Sequence, residues 1–259
     1  MSGGSSSRCT GPGRAAPPPS ALRAWDVSHP VRLTGGQGLS FAAGGLVLKP
    51  AGDPALATWL AEVLDTVSAE DVRIIRPVRS RSGSWVVDGW SAWHWLDGEH
   101  RSDAWQDVLE VSARFHRAVA GVSWSPALVA SHRWAVADRV AWGETPGELP
   151  ESVIPLLALR RPVDLPCQLI HGDLGGNVLF CDGLPPAVID MSPYWRPAGY
   201  ADAIIVADAV AWSGAGADLV EHLLRQQGEQ LLLRAVLFRV ATDPHFAPAY
   251  EPLVPLIAT

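Results

Sequence analysis

The chain has 259 residues and a formal net charge of −7, from 20 basic and 27 acidic side chains. Apolar residues make up 48% and charged residues 18%, the balance of a globular chain able to bury a core. The acidic surplus argues against nucleic acid, which calls for a basic face or stripe, and the absence of a run of about eighteen apolar residues argues against a membrane span.

The N-terminal stretch MSGGSSSRCTGPGRAAPPPS is rich in Ser, Gly and Pro and has no apolar run of the signal-peptide kind, so residues 1–22 are expected to form a disordered tail. From Val31 to Pro50, VRL, TGGQG, LSFAA and GGLVLK read as three strands joined by tight turns. A helix follows. Asp53 is its expected N-cap and Pro54 its first residue, with Leu56, Leu60, Val63, Leu64 and Val67 on one face. VRIIRPV and SWVVDGWSAWHW read as β again, with a turn at RSGS. The first hundred or so residues therefore read as an antiparallel sheet with one helix.

After WLDGEH the pattern becomes helical. In SDAWQDVLEVSARFHRAV, Trp105, Val108, Leu109, Ser112, Phe115 and Val119 fall at helical spacing. ASHRWAVADRVAW and ESVIPLLALRR continue it. A β interlude of CQLI, VLF and AVID comes next. The remainder is helical, including AGYADAIIVADAVAW, interrupted by Asp202 and Asp208, and LLLRAVLF, which is apolar enough to be buried. A boundary near Leu96–His100 divides the chain into 23–98 and 99–259. Cys9, Cys167 and Cys181 have neither metal-ligand spacing nor an even count, so a reducing, cytoplasmic setting is expected.

The stretch QLIHGDLGGNVLF places His171, Asp173 and Asn177 between two apolar strands, and the next strand, AVID, ends in Asp190, thirteen residues after Asn177. A carboxylate that can accept a hydroxyl proton, followed by an amide oxygen and a second carboxylate, is what metal-assisted phosphoryl transfer requires. One group orients the nucleophile, and two hard oxygen donors hold Mg²⁺ against the phosphates.

HGDLGGN followed by VID resembles the catalytic and metal-binding loops of the aminoglycoside phosphotransferase and choline kinase-like family, small-molecule relatives of protein kinases. The resemblance runs from about Leu33 to the C-terminal helices. It implies a bilobal protein kinase-like α+β fold, with an antiparallel β N-lobe carrying one helix and a mostly helical C-lobe. It also implies ATP-dependent phosphorylation of a hydroxyl on a small molecule, with Mg²⁺, GTP being the alternative donor. Asp173 would be the catalytic base or orienting carboxylate. Asn177 and Asp190 would hold the metal.

Lys49, the only lysine among the 20 basic side chains, gains a role from this resemblance. Kinase-like folds carry a strand lysine that pairs the nucleotide phosphates and a helix glutamate, and LVLK has that form. Glu62 is the expected partner, with Asp65 and Glu70 as alternatives. The turn TGGQG, with Gly35, Gly36 and Gly38, would bring backbone N–H groups over the phosphates. WSAWHWLDGE is similar to the family's hinge segment, where Trp93 and Trp95 either line the adenine slot or belong to the core. His171 would support the loop through hydrogen bonds, and Asp202 would brace it, the alternative being a helix N-terminal charge.

The sequence departs from the kinase pattern twice. The interval from Asp173 to Asn177 is four residues, where H-R-D-L-x-x-x-N has about one more. Asp190-Met191-Ser192 stands where Asp-Phe-Gly would. The short loop supports one alternative, a nucleotide-binding pseudokinase acting as regulator or scaffold; Lys49, Asp173 and Asp190 argue against it.

Overall fold

The computed structural model describes residues 16–34, 38–124, 131–225 and 228–257. In chain order the first elements are α1 (Pro19–Ala24), β1 (Val31–Arg32), β2 (Phe41–Ala43), β3 (Leu46–Pro50), α2 (Pro54–Thr66), β4 (Arg73–Ile74), β5 (Pro77–Val78), β6 (Val86–Val87) and β7 (Trp90–His94). The chain divides into two compact units. One comprises the residues up to Ala61 and Arg76–Trp95, the other Glu62–Ile75 and everything from Leu96 onward.

The first unit is an antiparallel sheet in the order β1-β2-β3-β7-β5, with β6 also on β7. Two tight hairpins set its register. Gly44 and Gly45 (φ 57° and 78°) close β2 onto β3, and Asp88 and Gly89 (φ 50° and 75°) close β6 onto β7. Two consecutive left-handed residues are what a two-residue hairpin turn needs to match strand twist. One face of the sheet buries Phe41, Leu48, Trp90 and Ala92 against Ala21 and Trp25. Because successive side chains alternate between faces, Lys49 projects from the face opposite Leu48. Asp53 caps α2 as its residue type suggests, its Oδ1 accepting from the N–H groups of Ala55 (2.8 Å) and Leu56 (3.1 Å).

The structure corrects the sequence reading at two places here. Residues 19–22 are not part of a disordered tail: they form α1, with Ala21 fully buried. A six-residue helix is too short for its periodicity to register. VRIIRPV is not one strand. β4 pairs in parallel with a strand of the second unit, whereas β5 pairs with β7, so Glu62–Ile75 belongs to the second unit.

That second unit continues with α3 (Trp105–Val119), α4 (Arg133–Trp142), α5 (Ile154–Leu159), β8 (Gln168–His171), β9 (Val178–Cys181), β10 (Leu184–Val188) and β11 (Pro193–Arg196). The last elements are α6 (Ala198–Ser213), α7 (Ala217–Arg225), α8 (Glu229–Thr242), α9 (Ala247–Tyr250) and α10 (Val254–Ile257). Its strands form two small sheets, β4-β10-β9 and β11-β8. Its core runs through α6 and α8, where Ile204, Ala207, Leu232, Leu233, Val236 and Leu237 are almost wholly buried. LLLRAVLF is buried throughout, as its composition predicts. Among the described residues no helix is long and apolar enough to cross a membrane. The molecule is thus an α+β protein, with an antiparallel sheet in its N-terminal unit and a mainly helical C-terminal unit.

Candidate active site

The loop that leaves β8 carries the candidate chemistry. His171 is fully buried at the strand's end, and its two ring nitrogens do different work. Nδ1 accepts from the Asp173 N–H (3.1 Å), and Nε2 donates to the Ile189 carbonyl (3.0 Å). A 3-10 turn, Leu174–Gly176, then closes the interval to Asn177, whose N–H donates to the Leu174 carbonyl at 2.9 Å. This tighter turn accommodates the short loop. Gly175 and Gly176 contribute without left-handed backbone, and Gly175 leaves room for the ring of Trp105.

Asn177 Nδ2 donates to the Asp173 carbonyl at 2.6 Å and makes a long contact of 3.4 Å with Asp173 Oδ2. The amide nitrogen is therefore spent on the loop, which leaves Oδ1 as an unengaged hard oxygen. The Asn177 carbonyl accepts from the Ile189 N–H at 3.0 Å. Both backbone polar groups of Ile189 are thus held by the loop, one by Asn177 and one by His171. Asp190 follows as an exposed residue with left-handed backbone (φ 50°). Among the described residues no three His, Cys, Asp or Glu side chains group to hold a metal. An amide oxygen and one carboxylate nevertheless suit Mg²⁺, which takes one or two carboxylates and completes its shell with water and substrate phosphates.

A buried relay braces this loop. The His171 N–H donates to His116 Nε2 (3.2 Å), so the His116 proton lies on Nδ1, which donates to the Ser112 carbonyl (2.8 Å). Burial, with His171 adding to it, lowers the His116 pKa to about 4, so the ring is held neutral. The Ser112 hydroxyl donates to Asp202 Oδ1 at 2.6 Å. Asp202 stands in the second turn of α6 rather than at its N-terminus, and burial pushes its carboxyl up against the pull of the Ser112 bond. Its link to the loop runs through Ser112 and His116.

Arg239, which contacts Asp173, and the groups that hold it escaped the sequence reading. Arg239, on α8, donates from Nη2 to Asp173 Oδ1 at 2.7 Å and also holds Asp208 of α6 through Nε and Nη2. Tyr250 donates its hydroxyl proton to Asp208 Oδ1 (2.7 Å) and accepts from Trp212 Nε1 (2.9 Å). Burial opposes the Arg239 charge, but Asp208 and Asp173 outweigh it and hold the guanidinium firmly protonated. The signal available in the sequence was Arg239 itself, next to the apolar run AVLF of a helix expected to be buried, since a buried charge requires partners.

The N-terminal candidates are placed unevenly. Gly35 and Gly36 lie outside the described residues. Gly38 is left-handed (φ 62°), and its carbonyl accepts from Arg32. Lys49 sits in β3 opposite Ser91 of β7 and is half-buried. Trp93 is a core residue, 7% exposed, with its N–H given to Ser91 Oγ at 3.0 Å. Glu62 is exposed and makes no ion pair among the described residues; it lies roughly 200° round the helix from the buried Leu60. Trp95 is 46% exposed, and its backbone N–H donates to the Gly45 carbonyl.

Comparison with known proteins agrees with this architecture. The model of the phosphotransferase enzyme family matches residues 41–236. Among solved structures, a thermostable mutant of the aminoglycoside phosphotransferase APH(4)-Ia superposes with a TM-score of 0.55 at 17% identity, over 89% of this chain and 94% of that one. The spectinomycin phosphotransferase APH(9)-Ia, in complex with ADP and spectinomycin, gives 0.53 at 12% identity, over 88% and 90%. The ethanolamine kinase of Plasmodium vivax gives 0.52 at 10% identity, over 90% and 82%. These likenesses are of fold. No curated protein is significantly similar to the chain in sequence.

Proposed function

The chain belongs to the phosphotransferase enzyme family, and we propose that it transfers the γ-phosphoryl group of ATP to a hydroxyl group of a small molecule. The observation that carries this reading is the state of Asp173. Its side chain is half exposed, with one carboxylate oxygen clamped by Arg239 and the other touched only by a 3.4 Å contact from Asn177. An oriented carboxylate with one oxygen open is suited to accept a hydrogen bond from an acceptor hydroxyl.

In the proposed reaction the acceptor O–H donates to Asp173 Oδ2. The hydroxyl oxygen bonds to the γ-phosphorus, and the bond from that phosphorus to the β,γ-bridging oxygen breaks. ADP departs with the electron pair, and the proton passes to Asp173 and then to solvent. Phosphoryl transfer proceeds through a loose transition state, so positioning and electrostatics supply most of the acceleration. The buried relay of Asp202, Ser112, His116 and His171 fixes the loop that carries the carboxylate. Asn177 and Asp190 would hold Mg²⁺, whose charge offsets that of the phosphates. Lys49 would pair the phosphates, the turn Thr34–Gly38 would present its N–H groups to them, and Trp95 would meet the adenine. Neighbours of the same fold hold ADP or AMP-PNP together with spectinomycin or hygromycin B, which supports ATP as donor and a small hydroxylated acceptor.

The test is nucleotide turnover by the full chain with Mg-ATP and Mg-GTP, across a panel of hydroxyl acceptors that includes hygromycin B, spectinomycin and ethanolamine. Asp173→Asn should retain ADP binding and lose turnover. Turnover in that variant near the wild-type rate, or ADP binding by the wild type with no turnover on any acceptor or on water, would sink the reading.

A further inference from the structure

We infer that Arg239 is a positioning residue for Asp173: a fixed post that holds Oδ1 and thereby presents Oδ2 to the acceptor. The inference rests on the phosphotransferase reading above, in which Asp173 meets the acceptor hydroxyl.

Three features of the cluster lead to it. Arg239 is on α8, and its side chain is only 12% exposed, while that of Asp173 is half exposed. The guanidinium therefore approaches the carboxylate from within the protein, and the acceptor approaches from solvent. The guanidinium is also immobilised before it touches Asp173. Asp208 takes both Nε and Nη2 in a fork, Tyr250 holds Asp208, and Trp212 holds Tyr250. Finally, the bonds to Asp173 are unequal. Oδ1 receives a charge-assisted bond of 2.7 Å, and Oδ2 has only the long contact from Asn177. One donor on one oxygen leaves a carboxylate with a defined direction, whereas an unclamped aspartate on a loop turns freely about its side-chain bonds.

The pairing also suits the chemistry. A carboxylate held by a guanidinium on one oxygen is a well-aimed hydrogen-bond acceptor on the other. A loose phosphoryl transition state leaves most of the proton on the attacking oxygen until late, so aim matters more than basicity. Arg239 touches neither donor nor acceptor in this scheme and acts through Asp173 alone. Lysine in its place keeps the charge but loses the planar fork that bridges two carboxylates.

The test compares wild type, Arg239→Lys and Arg239→Ala by ADP affinity and by the kinetics of Mg-ATP hydrolysis, with water as acceptor. A clamp predicts ADP affinity and KM for ATP within about twofold of wild type and kcat lower by about tenfold to a hundredfold, the usual cost of a small misplacement at a reacting group. Free guanidinium should restore part of the Arg239→Ala rate and none to wild type. Arg239→Lys should cost nothing further in an Asp173→Asn background, since no aim is left to lose. A kcat for Arg239→Lys within about twofold of wild type, or equal losses in both backgrounds, overturns the inference. If Arg239→Lys does not fold, Asp208→Asn is the second variant: it keeps the side chain's size and removes the charge that fixes the guanidinium, so an unchanged kcat in that folded protein overturns the inference equally. The two readings fail separately. Wild type without turnover removes the phosphotransferase reading, while the clamp is still read in crystals of the folded variant, where Asp173 either leaves its wild-type rotamer, as expected, or keeps it, which refutes the clamp.

Discussion

Gly172 lies against the ring of Tyr194, so closely that a Cβ added to the glycine would stand 2.4 Å from the ring's Cδ2 and Cε2. The Gly172 N–H donates to the Ser192 carbonyl at 2.9 Å, and Tyr194 is opposite Ile170 in the β8–β11 pairing, so neither partner is free to retreat. The ring is further backed by Phe238, edge to face at 5.8 Å. The glycine between His171 and Asp173 is thus a packing requirement of this chain.

Gly172→Ala should therefore cost about 1–3 kcal/mol in urea unfolding, the usual penalty of overpacking. Tyr194→Ala removes the obstruction, so the double variant should be more stable than the sum of the single effects. Additive losses would show that the loop, and not the ring, rejects the methyl group.

His116 carries a pH prediction. Its pKa is lowered by burial from 6.5 in the unfolded chain to about 4 in the folded protein. Between these values the unfolded state binds the extra proton, so stability rises with pH. The contribution is fully present above pH 6.5 and is lost as pH falls towards 4, in total about 3 kcal/mol at most. Asp202, its carboxyl pushed up by burial, acts in the opposite sense, so the test is a difference. His116→Gln, which can still accept from the His171 N–H, should show a flatter decline in unfolding free energy between pH 6.5 and 4 than wild type. Parallel curves for the two proteins would remove His116 from the account.

What the sequence disclosed depended on how local the cause was. The Asp53 cap and the GGLVLK hairpin are fixed by residues within one or two turns of chain, and both were legible. HGD, Asn177 and Asp190 stand out in the sequence because the proposed chemistry would need those residue types in that order. The side of α2 that carries Glu62 was legible too: Leu60, Leu64 and Val67 define the buried stripe, and Glu62 lies across the helix from it. The Arg239–Asp173 bond joins residues 66 apart in sequence. It comes from α8 packing on α6 below the loop, which no local periodicity encodes. The split of VRIIRPV between two sheets has the same origin, since each half satisfies its backbone with a different distant strand.

The short catalytic loop makes a separable prediction about magnesium. Asn177 keeps its amide nitrogen on the Asp173 carbonyl despite the missing residue, which leaves its oxygen available. Asn177→Ala and Asp190→Ala should both raise the Mg²⁺ concentration needed for tight ATP binding, read by titrating Mg²⁺ at fixed nucleotide. Asn177→Ala should in addition loosen the loop, because the 2.6 Å bond is lost with the side chain. Normal magnesium dependence in Asn177→Ala beside a large change in Asp190→Ala would mean that Asn177 serves the loop alone.

Lys49 offers a test by chemistry as well as by mutation. It is the only lysine in the chain, so an amine-directed reagent has two targets, its side-chain amine and the α-amino group. Lys49 lies on an inner strand of the sheet, half-buried, on the face opposite the fully buried Leu48. If that face receives the nucleotide phosphates, Mg-ATP should protect Lys49 from modification and leave the α-amino group as reactive as before. Peptide mapping after labelling reads both sites in one experiment. Lys49→Arg should lower turnover by roughly tenfold or more while the fold is kept, because a planar guanidinium fork does not fit where a compact ammonium does. A chain that uses arginine at every other basic position has every compositional reason to accept one here. Full activity in Lys49→Arg, with no protection by nucleotide, would return Lys49 to an ordinary strand residue and leave the phosphates to be held by other groups.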